Sequence, residues 1–264
     1  VIPDFRFNEI KNFIQNGLQD FSISRLKSKM SWGIPVPDDE NHVMYVWFDA
    51  LTNYISTLDW KSNNQENFEK FWLQKENDVR EVIQYCGKDN IRYQAAIWQA
   101  MLMASNIPNS TNIIINGFII SDGKKMSKSI GNVISPNTII NDYKNYTDFG
   151  EDVLRFVLIH EVSNFEDGDI TNESIRSTYI TYLQNGIGNQ VNRILKLTNT
   201  YLENSEVVEI VEEAKNKKLN DGFRDFLNNF KLNEAIRFIT QKQKELDEYI
   251  QKAEPFKLLK SQND

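Results

Sequence analysis

The chain has 264 residues, 40% of them hydrophobic and 25% charged, with a net charge of −7. That length suits one large domain or two ordinary ones, and an aromatic content of 12% argues against global disorder. The single cysteine, Cys86, excludes an intrachain disulfide and a cysteine-cluster metal site, and the two histidines, His42 and His160, make His-rich zinc sites and His-dependent triads poor candidates. The negative balance disfavours a generic basic nucleic-acid binder. No apolar run reaches the ~18–20 residues of a membrane span, and no charged-then-apolar leader opens the chain. The expectation is a cytoplasmic protein, or a piece of one, with no membrane partner.

Two composition regimes divide the sequence near residue 172. The first holds all five tryptophans and most of the glycine and proline. Within it, Val43 to Phe48 reads as a buried strand, because it is apolar, β-branched and aromatic without polar interruption. Ala50 to Leu58 suits a helix. Glu81 to Cys86 reads as a second strand ending at Gly87. Asn90 is a plausible N-cap for a helix running through Met103. Asn112 to Ile115 reads as a third strand, and Phe118 to Ile120 as a strand entering a tight turn at Ser121-Asp122-Gly123. This alternation predicts a parallel sheet covered by helices, with ligands beyond the carboxyl ends of its strands. The loops after Phe48, Cys86 and Phe118 are therefore the places to look for chemistry.

The second regime is helical. Apolar residues recur with a 3.6 period at Tyr182, Leu183, Ile187, Val191, Ile194, Leu195 and Leu197, at Leu219, Phe223, Phe226, Leu227 and Phe230, and at Ile236, Ile239, Leu246, Tyr249 and Ile250. The pattern predicts an antiparallel helix bundle.

The densest chemical signal is Gly123-Lys124-Lys125-Met126-Ser127-Lys128-Ser129-Ile130-Gly131-Asn132. Ammonium groups and hydroxyls on a glycine-hinged loop suit a polyphosphate that gains charge in a transition state. Two lysines near a glycine usually make a solvated turn, but Lys-Met-Ser-Lys-Ser as a complete string is far more specific. It matches the signature of class I aminoacyl-tRNA synthetases. Trp32-Gly33-Ile34-Pro35-Val36-Pro37, Tyr45 to Ala50 with Tyr54, Gly87-Lys88-Asp89 and Lys125 to Ser129 follow in the order and spacing of the methionyl-tRNA synthetase family. Asp20 to Arg25 resembles that family's return from its inserted connective peptide. Phe165 to Asp169 resembles the segment joining its catalytic core to its helical domain.

The resemblance implies an α/β fold. It would comprise the second half of a Rossmann-like parallel-sheet catalytic domain followed by an all-α anticodon-binding helix bundle. The implied boundaries are residues 1–22 for the end of the connective peptide and 23–120 for the half-core. Residues 121–172 would hold the lysine loop and connecting segment, and 173–264 the truncated helical domain. It implies a methionine–tRNA ligase using ATP and Mg2+, with L-methionine, ATP and methionine tRNA as partners. Trp47, Ala50, Tyr54 and Gln94 fall on methionine-pocket positions, where aromatic faces suit a thioether. Gly87, Asp89, Lys125, Ser127 and Lys128 fall on ATP-binding positions. Lys125 and Lys128 are the implied catalytic residues, and Asp89 the acceptor for the ribose diol. Asn189 and Arg193, one helical turn apart, and Phe256 fall on anticodon-reading positions.

The sequence departs from the family pattern at several places. Gln94 stands where histidine is frequent, Gln99 and Leu51 where proline is common, and Phe256 where tryptophan is usual. Neither His42 nor His160 lies in a His-x-Gly-His signature, and no zinc ligands are expected in this chain. The expectation is a carboxy-terminal portion, inactive alone. It could instead be a non-catalytic tRNA-binding module, or a half-enzyme completed by a separate amino-terminal chain.

Overall fold

The computed structural model describes residues 1–73, 81–201, 221–255 and 257. The chain divides into two units, Val1–Asn116 and Gly117–Asp264. Both mix helices and sheets, so the α/β character holds.

In the first unit, α1 (Asp4–Gln15) precedes an antiparallel sheet of β1 (Ser24–Leu26), β3 (Asp39–Met44) and β2 (Pro35–Val36), with β3 in the centre. Three short helices follow: α2 (Val46–Ala50), α3 (Asn53–Ser56) and α4 (Glu66–Phe71). Then β4 (Ile83–Gly87) leads through a 3₁₀ turn (Lys88–Asn90) and a π-turn (Tyr93–Ile97) into α5 (Trp98–Ala104) and β5 (Asn112–Asn116). Strands β4 and β5 pair in parallel, from Ile83 opposite Asn112 to Gly87 opposite Asn116. Ile2 adds a parallel bridge to Ile114 on β5.

Several sequence expectations need correction here. Val46 to Phe48 is helical, and the strand is the preceding Asp39–Met44. A continuous apolar run fits a buried helix as well as a strand. Trp47 packs on the core of Leu51, Ile55, Phe68, Trp72, Trp98, Leu102 and Ile107. The expected helix from Ala50 to Leu58 is broken, with Thr52 and Asn53 turning their side chains back onto the carbonyls of Asp49 and Ala50. That local competition with helix bonds shortens helices. Strand β3 belongs to the antiparallel sheet, and among the described residues β4 and β5 are the expected strands that pair with each other in parallel. Asn90 makes no side-chain cap; it closes the 3₁₀ turn instead.

The second unit begins with β6 (Ile119–Ser121) between β7 (Lys124–Lys125) and β8 (Gly168–Asp169), antiparallel to the first and parallel to the second. Asp122 and Gly123 turn the β6–β7 hairpin with φ of 52° and 69°, the left-handed pair that tight hairpins demand. Helices α6 (Pro136–Tyr143) and α7 (Gly150–Glu161) pack over a core of Ile139, Tyr143, Val153, Val157, Ile170 and Ile175. Thr171 and Ser174 exchange reciprocal bonds that cap α8 (Asn172–Thr178). A π-helical stretch (Tyr179–Gly188) then continues as α9 (Asn189–Tyr201). Helices α10 (Asp221–Asn228) and α11 (Leu232–Ala253) complete the described part. Leu219 lies outside the described residues.

The helical half is not purely antiparallel. Gln190 on α9 donates to the Gln243 carbonyl on α11, and Arg193 meets Asp247. The contacts advance together along both helices, so these two run in the same direction. Helix α10 packs on α11 through contacts of Phe223 and Phe226 with Phe238. Periodicity identifies the faces to be buried, but says nothing of which helices face each other.

Candidate functional site

The carboxyl end of β4 gathers one set of the expected residues. Strand β4 terminates at Gly87, and a Cβ there would lie 2.8 Å from Asp89 Oδ1. The glycine thus lets an exposed carboxylate fold back over the strand end. Cys86 sits just behind. Burial, then the Asp89 carboxylate, pushes its thiol up to about 11.

The π-turn after β4 supplies the second wall. Tyr93 and Trp47 stack at 4.4 Å with their planes 12° apart, which ties α2 to the turn. The Tyr93 phenol titrates above its usual range, because it donates to the Tyr45 hydroxyl and is partly desolvated. Tyr54 packs against Trp98 at 5.9 Å. Its phenol is also raised, first by burial and then by the Cys86 thiol, and the Gln94 amide offsets part of that rise.

Gln94 is 3% exposed, and its Nε2 has no hydrogen-bond partner. Its influence on Tyr54 is therefore a near approach rather than a closed bond. Trp98 Nε1 is likewise buried without a partner. Buried donors left open are uncommon in folded proteins and call for an explanation. Ala50, at the end of α2, carries no side chain beyond Cβ. Trp47, Tyr54, Gln94, Gly87 and Asp89 thus come together around one strand end. Tyr93, Cys86 and Trp98 join them without having been singled out. The stack of Trp47 on Tyr93 bridges 46 residues and has no local signal.

The lysine loop belongs to the second unit. The Ser127 N–H donates to Asn132 Oδ1 at 2.9 Å, and Asn132 Nδ2 returns to the Lys125 carbonyl at 3.3 Å. The hydroxyls of Ser127 and Ser129 share a hydrogen bond of 2.6 Å. The Ile130 and Gly131 N–H groups close a turn onto the Ser127 carbonyl, with Gly131 at φ 75°. Asn132 is therefore the clasp of the loop, a role its place in the string did not announce. Lys125 and Lys128 are both exposed, and the Lys125 ammonium lies over the Phe118 ring at 4.2 Å. The segment from Phe165 to Asp169 steadies this loop's base. Asp169 accepts from the Gly123 N–H at 2.8 Å, and Asp167 accepts from the Phe118 N–H at 2.9 Å.

On the helices, Asn189 is exposed and Arg193 is held by Asp247 at 2.8 Å, both side chains of the pair about one-third exposed. Phe256 lies outside the described residues. Among the described residues no cluster of three or more acidic, histidine or cysteine side chains could hold a metal, and no helix is long and apolar enough to cross a membrane.

A carboxylate and a glycine at the carboxyl end of a parallel strand stand where open α/β sheets receive their ligands. The family model described as tRNA synthetases class I (M) matches residues 3–195. The methionine–tRNA ligase of Fusobacterium nucleatum subsp. nucleatum is 36% identical over 99% of this chain and 40% of its own length. That of Ureaplasma parvum serovar 3 is 33% identical over 100% of this chain and 50% of its own. The structure of Mycobacterium tuberculosis methionyl-tRNA synthetase in complex with methionyl-adenylate superposes with a TM-score of 0.82 at 31% identity, covering 98% of this chain and 49% of that one. The chain belongs to the methionine branch of the class I tRNA synthetases. It spans about half the length, or less, of the relatives it matches.

Proposed function

We propose that these residues serve a methionine–tRNA ligase, which activates methionine with ATP and transfers it to methionine tRNA in the cytoplasm. The observation that carries the reading is the unpartnered Gln94 Nε2, buried beside Tyr54 at the end of β4. A thioether sulphur is a weak acceptor that favours aromatic surroundings, and methionine presents that group at the tip of a flexible chain. Trp47, Ala50, Tyr54 and Gln94 would line its pocket.

Asp89 would receive the ribose hydroxyls of ATP, with Gly87 admitting the nucleoside. Lys125, Ser127 and Lys128 would face the phosphates, where Mg2+ neutralises charge. Mg2+ is commonly held by substrate phosphates and few protein groups, which suits this residue set. The methionine carboxylate attacks the α-phosphorus and pyrophosphate leaves. The lysine ammonium groups then stabilise developing negative charge rather than form a covalent intermediate. A tRNA hydroxyl attacks the resulting acyl-adenylate, and AMP leaves. Asn189, Arg193 and Phe256 would read the anticodon.

The fold reading beneath this is a Rossmann-like half-core, within residues 23–120, followed by an anticodon-binding bundle from 173. A half-enzyme is the second reading, favoured by one feature. Among the described residues the parallel sheet holds two strands, β4 and β5, fewer than an open doubly wound sheet is built from. An amino-terminal half, in the same polypeptide or another, would complete it.

Methionine-dependent exchange of labelled pyrophosphate into ATP tests the proposal. The full-length protein containing these residues is expected to catalyse exchange, and residues 1–264 alone none. Exchange driven by another amino acid would overturn the substrate assignment. Binding of methionine tRNA without any exchange would favour a non-catalytic module.

A further inference from the structure

Gln99 follows the π-turn, and its side-chain amide uses every hydrogen-bonding site it has. Nε2 donates to the Gln94 carbonyl at 3.1 Å and to Ser110 Oγ at 3.2 Å. Oε1 accepts from the Ser110 N–H at 3.1 Å and from Asn109 Nδ2 at 3.0 Å. A primary amide offers two donors and two acceptor lone pairs, so this one is saturated and its orientation is fixed. Ser110 passes the connection on by donating to Gln84 Oε1 at 2.6 Å, and Gln84 is a buried residue of β4.

The network joins the two elements that make the site. At one end is β4, which carries Cys86 and Gly87. At the other is the backbone of Gln94, the residue whose own amide stays open. A π-turn shifts the backbone register and weakens local bonding, and such turns often occur at functional sites. Here a side chain five residues on holds the carbonyl of residue 94. Fixing that peptide fixes where the Gln94 side chain starts, and hence where its unpartnered Nε2 lies relative to Tyr54. Small displacements of a binding group have large effects on recognition.

We propose that Gln99 is a positioning residue for methionine recognition, acting through the Gln94 backbone. The inference rests on the assignment of Gln94 to the methionine pocket. The two halves of the Gln99 amide have different tasks, which makes the role separable from simple anchoring. The acceptor half holds the loop of Asn109 and Ser110, and the donor half holds Gln94.

Gln99→Glu keeps the acceptor half and removes the donor half at nearly constant shape. In the full-length protein, Gln99→Glu and Gln99→Ala are both expected to raise the KM for methionine roughly tenfold while kcat and the KM for ATP stay within about twofold. Gln94→Ala, measured beside them, reports on the underlying assignment. A methionine KM raised by Gln94→Ala but unchanged in Gln99→Glu would overturn the positioning role and leave the pocket standing. No change in either variant would overturn both. Loss of thermal stability with all kinetic constants preserved would make Gln99 an ordinary structural residue, which also overturns the inference. Should Gln99→Ala not fold, Gln99→Glu and Ser110→Ala carry the test, the latter expected to raise the same KM by a smaller factor.

Discussion

Arg193 on α9 donates to Asp247 on α11 at 2.8 Å, which occupies the cation proposed to read the anticodon. The pair is about one-third exposed on each side, so its contribution to stability is about 0–1 kcal/mol. Asp247→Asn removes a negative charge that nucleic acid would meet, and frees the guanidinium. The expected result is a nearly unchanged melting temperature with several-fold tighter binding of an anticodon stem-loop, read by fluorescence anisotropy at low salt. Unchanged binding would place recognition elsewhere.

Gln94 cannot become cationic. Methionine affinity of the full-length protein is expected to stay flat between roughly pH 5.5 and 7.5. A histidine there would titrate near ~6.5. Gln94→His is expected to introduce such a dependence, read from the KM for methionine across that range.

Cys86 is a poor nucleophile where it stands. With its thiol at about 11, roughly one part in a thousand is thiolate at pH 8. Alkylation by iodoacetamide, followed by intact-mass spectrometry, should be far slower than for an unfolded control. Asp89→Asn removes the second cause of the shift and should speed alkylation, with burial still holding the rate below the control.

Gly117 permits a close backbone crossing. A Cβ there would lie 2.1 Å from the Glu166 carbonyl oxygen, a rigid obstacle. Gly117→Ala is expected to destabilise by about 3 kcal/mol in urea unfolding. Gly131 has φ 75° and nothing within 4 Å of its would-be Cβ. Gly131→Ala should cost only about 1 kcal/mol, from the left-handed backbone alone.

Glu161 couples stability to acid. Burial raises its carboxyl, but bonds from Thr178 at 2.6 Å and His160 at 2.9 Å overcome that and leave it below the usual range. A depressed folded value means the unfolded state binds the proton more readily. The contribution is present above ~4.3, the unfolded value, and is lost as pH falls through the folded one. Thermal melts from pH 6 to 3 should show this loss, and Glu161→Gln should flatten it.

How much of this was legible depends on the length scale of each feature. The turn at Asp122 and Gly123 was readable because left-handed backbone selects few residue types. The end of β4 at Gly87 was readable from an apolar run meeting a glycine. Val46 to Phe48 departs from the expected strand because a short apolar run suits a helical turn as well as a strand, and here the turn leaves Val46 exposed. The clasp of Asn132 on Ser127, and the saturated amide of Gln99, were invisible because side-chain amides bond equally well to solvent until the fold brings partners to them.

The sequence by itself determined the family, the order of the motifs and the residue types offered to a thioether, a diol and a polyphosphate. Those are properties of local strings, and strings survive without a fold. Only the tertiary structure decided that Trp47 lies flat on Tyr93, that Gln94 keeps a buried donor open beside Tyr54, and that α9 and α11 run in the same direction. Each of these joins residues far apart in the chain, and burial against a shared core sets such contacts rather than any neighbouring residue.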